Sequence, residues 1–223
     1  MTGTQALLQS GTMSLPVNIS ALASHFGIKL VDYNSFTQVY DMDKQELYRR
    51  VSYGGFSLMA DGSCICVLNS SLCGQARRKW TAAHEIGHIL CGHISGEINL
   101  PTNEQEQQAD LFAAELLAPL TVLHFCGVSS AVEIERLCGL SKQAAEYRFQ
   151  ELSRLRRQQD ALYTSAIISD ENAKADCLFL ITEDQRELFR QYSPFISRYI
   201  ARRSSHDGYA EYLTIKSKNR MAI

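Results

Sequence analysis

WTAAHEIGHILCGH, residues 80–93, is the stretch whose reading organises the rest of this chain. Within it His84, Glu85 and His88 stand in the spacing HExxH. Residues four apart on a helix share a face, with Cβ atoms about 5–6 Å apart. Two imidazoles at that separation can converge on one zinc ion at about 2.0–2.1 Å. Glu85, one residue on from His84, is badly placed to join the same ligand set but can reach a water on the ion. The pattern therefore predicts two metal ligands and a general base.

Residues 104–119 read EQEQQADLFAAELLAP. Ala109, Phe112, Ala113, Leu116 and Leu117 recur at helical spacing, which predicts an amphipathic helix with a buried stripe. A catalytic zinc site usually has three protein ligands and one open position, and Glu106 on this helix is the candidate third ligand. Asp110, one turn later, can accept a hydrogen bond from the far ring nitrogen of a ligand histidine, which fixes its tautomer. Gly92, Gly96 and Pro101 punctuate the connection and let the chain reverse between the two helices.

HEIGH followed by ExxAD and FAAELLAP resembles the ImmA/IrrE family of metallopeptidases. The resemblance covers roughly residues 55–155 and is strongest over the two helices. It implies His84, His88 and Glu106 as ligands of one Zn2+ per chain, another divalent metal remaining open, and Glu85 as the catalytic base. Asp110 stands where the family often has Asn or Asp. Lys79-Trp80 replaces the family's Arg-Phe, and Ala118 replaces its Met before the proline; neither departure touches the chemistry.

The remaining composition constrains the setting. An apolar fraction of 45% with 21% charged residues is that of a globular protein, and a net charge of −2 gives no global attraction to nucleic acid or membrane. Residues 1–16, MTGTQALLQSGTMSLP, lack the basic flank and apolar core of a signal peptide and are expected to be loosely attached. No run of about 18 apolar residues suggests a membrane span. Seven cysteines without a CxxC pair read as buried free thiols in a reducing cytoplasm, in preference to a redox-sensitive Cys91 beside the metal.

Along the chain, Ser20 to Gly27 predicts a short helix, residues 28–31 a strand, and residues 41–51 a helix. Phe56 to Ala60, Asp61-Gly62 and Ser63 to Asn69 form a hairpin signal. In metallopeptidases of this class a strand beside the metal helix pairs with extended substrate, a role weighed equally against simple closure of the core. The metal helix is expected over residues 75–91, with Arg77, Arg78 and Lys79 unfavourably near its start.

After a short helix or turn to Gly127, residues 131–138, the turn Gly139-Leu140-Ser141 and a helix from Lys142 to about Arg157 have the helix-turn-helix outline. The second helix carries Lys142, Arg148, Arg154, Arg156 and Arg157 against Glu146 and Glu151. Its Ala144, Ala145, Tyr147, Phe149 and Leu152 favour packing or partner docking over DNA binding. Residues 177–182, CLFLIT, read as a strand. Residues 184–203 read as a helix with Pro194 as kink or boundary. From Arg186 onward eight Lys/Arg face three Asp/Glu, read as a solvated tail.

His93 misses the HExxHxxGxxH spacing, which would put the third histidine at Ile94; it reads as a helix C-terminal histidine. His25, His124 and His206 read as structural or solvated. Tyr53 and His93 are candidates to stabilise the oxyanion of the transition state.

The expected fold is α+β, a mostly helical zincin-like metallopeptidase domain with a small antiparallel sheet, a helix-turn-helix-like segment and a C-terminal extension. The boundaries are a flexible N-terminus at 1–16, the metallopeptidase domain at 17–127, the helix-turn-helix-like segment at 128–160 and the extension at 161–223. The expected function is zinc-dependent, site-specific endopeptidase action in the cytoplasm. By resemblance the protein substrate is a helix-turn-helix repressor or an antitoxin, and such genes often sit in mobile elements. Two alternatives remain: a proteolytically quiet regulator that docks a protein or DNA, and a metal-dependent hydrolase of small substrates.

Overall fold

The computed structural model describes residues 1–41, 43, 45, 51, 54–60, 62–71, 74–94, 101–169 and 178–207. The elements in order are α1 (Gly3–Gln9), α2 (Ile19–His25), β1 (Lys29–Asp32), α3 (Tyr33–Val39), β2 (Gly55–Ala60) and β3 (Ser63–Leu68). The metal helix α4 (Gln75–Leu90), α5 (Asn103–Leu117), α6 (Leu120–Phe125), α7 (Ala131–Cys138), α8 (Lys142–Ser169) and α9 (Glu183–Asp207) follow. The architecture is α+β and mostly helical, as expected. The helix expected over 41–51 falls largely outside the described residues. Asp61 of the hairpin turn, Tyr53, Gly96, Cys73, Cys177 and the side chain of His206 do so too.

The sheet is mixed where an antiparallel one was expected. Its order is β1-β3-β2, with β2 antiparallel and β1 parallel to the central β3. The parallel pairing arises because the chain passes through α3 and β2 before returning as β3. Alternate residues of a strand face opposite ways. Phe56, Leu58, Ile65 and Val67 accordingly join Tyr33 and Phe36 of α3 in one apolar cluster, while Cys66 joins the main helical core on the other side. Gly55, in turn, brings the backbone of β2 against α4: a Cβ there would lie 2.9 Å from Thr81 Cγ2 and 3.3 Å from Glu85 Cγ.

Residues 1–16 are not loose, contrary to the sequence expectation. Thr2 and Gln5 form a capping box that starts α1, whose Ala6 and Leu7 have no exposed surface. A Cβ on Gly3 would come within 2.4 Å of the Phe112 carbonyl oxygen, so α1 lies directly on the backbone of α5. Gln191 of α9 holds the far end, donating from Nε2 to the carbonyls of Leu7 and Thr12 at 2.9 and 2.6 Å. Polar composition concealed this docking because only two or three apolar residues face inward.

Two further differences have the same origin in packing. Residues 178–182 are turn and bend, not strand; Phe179 is buried and stacks on His124 with ring centroids 3.8 Å apart. The apolar run thus covers α6 instead of pairing in a sheet. Helix α8 runs to Ser169, past the expected end, and α9 continues through Pro194.

Basic side chains bind helix ends together. Carbonyls at a helix C-terminus lack intrahelical partners and carry partial negative charge. Arg148 donates from Nε to the carbonyl of Ala118, the C-cap of α5, at 2.7 Å, and pairs with Glu151. Arg156 donates to the Val128 carbonyl at 2.6 Å, just past α6, and Lys79 to that of Cys138, the last residue of α7, at 2.6 Å. The cations at the start of α4 therefore include one that serves another helix. Buried Cys66, Cys126 and Cys138 are free thiols in the core; burial pushes Cys126 and Cys138 up to about 12.

Docking of α1 has a measurable consequence. Leu7→Ala is expected to lose about 2–5 kcal/mol in chemical denaturation, the usual range for emptying a buried leucine site. Met13→Ala, at a residue 57% exposed, is expected to change stability by no more than about 0.5 kcal/mol.

Candidate metal centre

The centre forms where α4 crosses α5. Gly87 of the HEIGH sequence sits at the crossing. A Cβ there would lie 3.0 Å from Phe112 Cδ1 and 3.3 Å from both the Cα and the carbonyl oxygen of Ala109. With hydrogen at Gly87 and methyl at Ala109 the two backbones approach closely enough for side chains of both helices to meet. Thr102 caps α5, accepting from Gln105 N, while Gln105 reaches back to the Thr102 N–H in a capping box. Glu106 is then in the first turn, where the helix dipole favours a carboxylate.

Three predicted ligand residues come together at this crossing. His84 Nε2 lies 3.1 Å from His88 Nε2 and 3.2 Å from Glu106 Oε2, and His88 Nε2 lies 3.7 Å from Glu106 Oε1. One donor atom from each residue falls within 4.8 Å of the others. Two imidazole nitrogens and a carboxylate oxygen converging in this way fit a tetrahedral zinc centre with one position left for water. Burial, reinforced by His84 and His93, pushes His88 down to about 4. It is therefore neutral near pH 7, with a lone pair for a metal.

Asp110 Oδ1 is 2.9 Å from His84 Nδ1, the far nitrogen of that ring. It lies where an outer hydrogen-bond acceptor for a ligand histidine is needed. Glu85 stands apart from the three donors. Its carboxyl is buried, and Ser57 Oγ on β2 donates to its Oε2 at 3.0 Å. Burial pushes Glu85 up to about 7; His84 and the Ser57 hydrogen bond oppose this and Glu106 adds to it. A carboxyl that titrates near neutrality suits general base catalysis.

Several participants escaped the sequence reading. Ser57 carried no motif. His93, read both as a helix-end histidine and as an oxyanion candidate, folds back onto the centre through contacts that neither reading foresaw, with Nδ1 3.1 Å from His88 Nδ1 and Nε2 2.9 Å from Gln108 Oε1. A signal for this was present. Gly92, at φ 76°, ends α4 in a Schellman motif: the His93 N–H donates to the His88 carbonyl at 2.9 Å and that of Gly92 to Ile89 at 3.1 Å. That turn places the residue after the glycine beside the one five positions earlier. Tyr53 lies outside the described residues.

Comparison with known proteins agrees with this geometry. Residues 55–150 match the family of peptidases described as the IrrE N-terminal-like domain. No curated protein matches the chain.

Metal titration separates the carboxylates. The wild-type protein is expected to bind about one equivalent of zinc, and Glu106→Ala to weaken binding far more than Glu104→Ala. Asp110→Ala should cost roughly 10–100-fold in affinity. Equal losses from the two glutamates, read by competition with a chelating dye, would show Glu106 to be the wrong ligand.

Proposed function

We propose, from the premise that residues 55–150 of this chain are a metallopeptidase domain of the ImmA/IrrE family, that it cuts a specific regulatory protein of the cytoplasm. A helix-turn-helix repressor or an antitoxin is the substrate class that the resemblance favours. The observation that carries the reading is the place of Glu85, buried between the donor set on α4 and α5 and the hydroxyl of Ser57 on β2.

A zinc ion held by His84, His88 and Glu106 would supply the Lewis acid of peptide hydrolysis. The protein supplies the rest. Glu85 takes a proton from the attacking water and delivers it to the departing amine nitrogen. Ser57 holds one carboxylate oxygen, so the other is the one turned to the reacting water. His84 is held by Asp110 in the tautomer that leaves Nε2 unprotonated.

Substrate alignment rests on the sheet. Among the described residues β3 is paired on both sides and β1 and β2 are the edge strands; β2, which lies against α4 at Gly55, is the edge beside the centre that an extended peptide can join. β2 also carries Ser57, whose hydroxyl touches Glu85, so a peptide added there would pass the base.

One observation favours the second reading, a quiet regulator that docks a partner. An open cavity of about 620 Å³ lies between the start of α4, the end of α5 and α8, with Trp80, Leu140 and the largely exposed Tyr147 in its wall. A protein partner suits this apolar surface better than DNA, since of the two arginines in its wall, Arg77 and Arg148, the second is bound to the Ala118 carbonyl and paired with Glu151.

Glu85→Gln distinguishes the readings. It keeps size and hydrogen bonding but removes the base. Zinc content and thermal unfolding should be unchanged, while cleavage of a repressor encoded beside the gene should fall at least ~10²–10⁴-fold. Full relief of repression by Glu85→Gln in cells would establish the quiet regulator instead.

A further inference from the structure

We infer that His93 and Gln108 are positioning residues for the metal centre, a two-step hydrogen-bond relay that holds His88 in the tautomer able to bind a metal through Nε2. The inference rests on the reading of His84, His88 and Glu106 as a metal centre, and not on proteolysis.

The two ligand histidines have unequal supports. His84 has a carboxylate, Asp110, 2.9 Å from its Nδ1. Among the described residues the corresponding atom of His88 faces no carboxylate; it faces Nδ1 of another imidazole, His93, at 3.1 Å. A neutral imidazole has one N–H and one lone pair, so an approach of two ring nitrogens forms a hydrogen bond only if one of them carries the proton. Two proton orders are possible, and they differ at Nε2 of His88.

In the first, His88 Nδ1–H donates to His93 Nδ1. His93 then carries its proton on Nε2 and donates to Gln108 Oε1 at 2.9 Å. Every donor meets an acceptor, and His88 Nε2 is left with a lone pair pointing at His84 Nε2 and Glu106. In the second, His93 Nδ1–H donates to His88 Nδ1. His88 must then be protonated on Nε2, where it cannot bind a metal, and the lone pair of His93 Nε2 faces the lone pairs of the Gln108 oxygen. With Oε1 and not the amide nitrogen turned to His93, Gln108 selects the first order from two bonds away; the second order would need the amide turned over to present its N–H.

The fold accounts for the roundabout route. Residues two apart on a helix leave it about 200° apart, so Gln108 projects away from the direction of Glu106. The Schellman turn at Gly92 carries His93 back over the last turn of α4, where its ring spans from His88 to Gln108. Helix α5 in this way governs both ligand histidines, Asp110 acting on His84 directly and Gln108 on His88 through His93. Outer groups of this kind typically change metal affinity 10–100-fold when removed.

The decisive experiment is nitrogen-15 NMR of the zinc-loaded, histidine-labelled full chain. His93 is expected as the tautomer protonated on Nε2 and His88 as protonated on Nδ1. Alongside it, zinc affinity is measured by chelator competition. His93→Phe should weaken zinc about 10–100-fold. Gln108→Lys, which offers only donors, should weaken it as well, whereas Gln108→Glu, which offers only acceptors, should bind as tightly as wild type. A purely steric role would not distinguish the last two. His93 protonated on Nδ1 in the zinc-loaded protein, or equal affinities for Gln108→Lys and Gln108→Glu, would overturn the relay while leaving the centre standing. A wild-type chain that takes up no zinc would overturn both.

Discussion

The distance between helices α4 and α5 at Gly87 governs what the rest of the molecule can do. Side chains of a histidine and a glutamate reach only a few ångströms beyond their backbones, so donors from two helices meet only if the helices nearly touch. Gly87 against Ala109 allows that contact, and the Phe112 ring closes its side. Any larger residue at either position would push apart the three donor atoms that now lie within 4.8 Å. The glycine inside HEIGH is therefore part of the geometry of the three donors, although it carries no donor itself.

The opposite side of α4 sets the chemistry. Here the sheet approaches instead of a helix, and again a glycine permits it, Gly55 against Thr81 and Glu85. Glu85 is thereby removed from water, which raises the proton affinity of its carboxyl, while Ser57 keeps it from being buried without a partner. One helix thus has two faces with different duties. The face toward α5 presents the imidazoles of His84 and His88, and the face toward β2 presents the carboxyl of Glu85.

Around this core the chain is tied by cations at helix ends. Lys79, Arg148 and Arg156 each donate to carbonyls at or beyond the end of another helix, and Arg203 donates to the Gly127 carbonyl at 2.8 Å while pairing with Glu133 at 3.1 Å. These contacts join α7 and α8 to α4 and α5, and α9 to the start of α7. They also explain why a count of basic residues on α8 overstates its suitability for phosphate binding. No described helix is long and apolar enough to cross a membrane.

Much of the centre was legible in the sequence because helical spacing is a local property. HExxH fixes the relative positions of two imidazoles and a carboxylate without reference to the rest of the chain, and an apolar stripe beginning at Ala109 predicts the helix that carries Glu106 and Asp110. The Schellman turn that returns His93 to His88 was also local, and Gly92 announced it. What sequence could not supply were meetings between distant segments: α1 on the backbone of α5, Ser57 on Glu85, Gln108 on His93, and β1 parallel to β3. Each depends on which surfaces pack together, and packing is decided by the shape of the whole core. Residues 1–16 and 178–182 show this most plainly. The first looked too polar to dock and the second apolar enough to be a strand; burial by distant partners, Gln191 and Phe112 for one and His124 for the other, determined their structure instead.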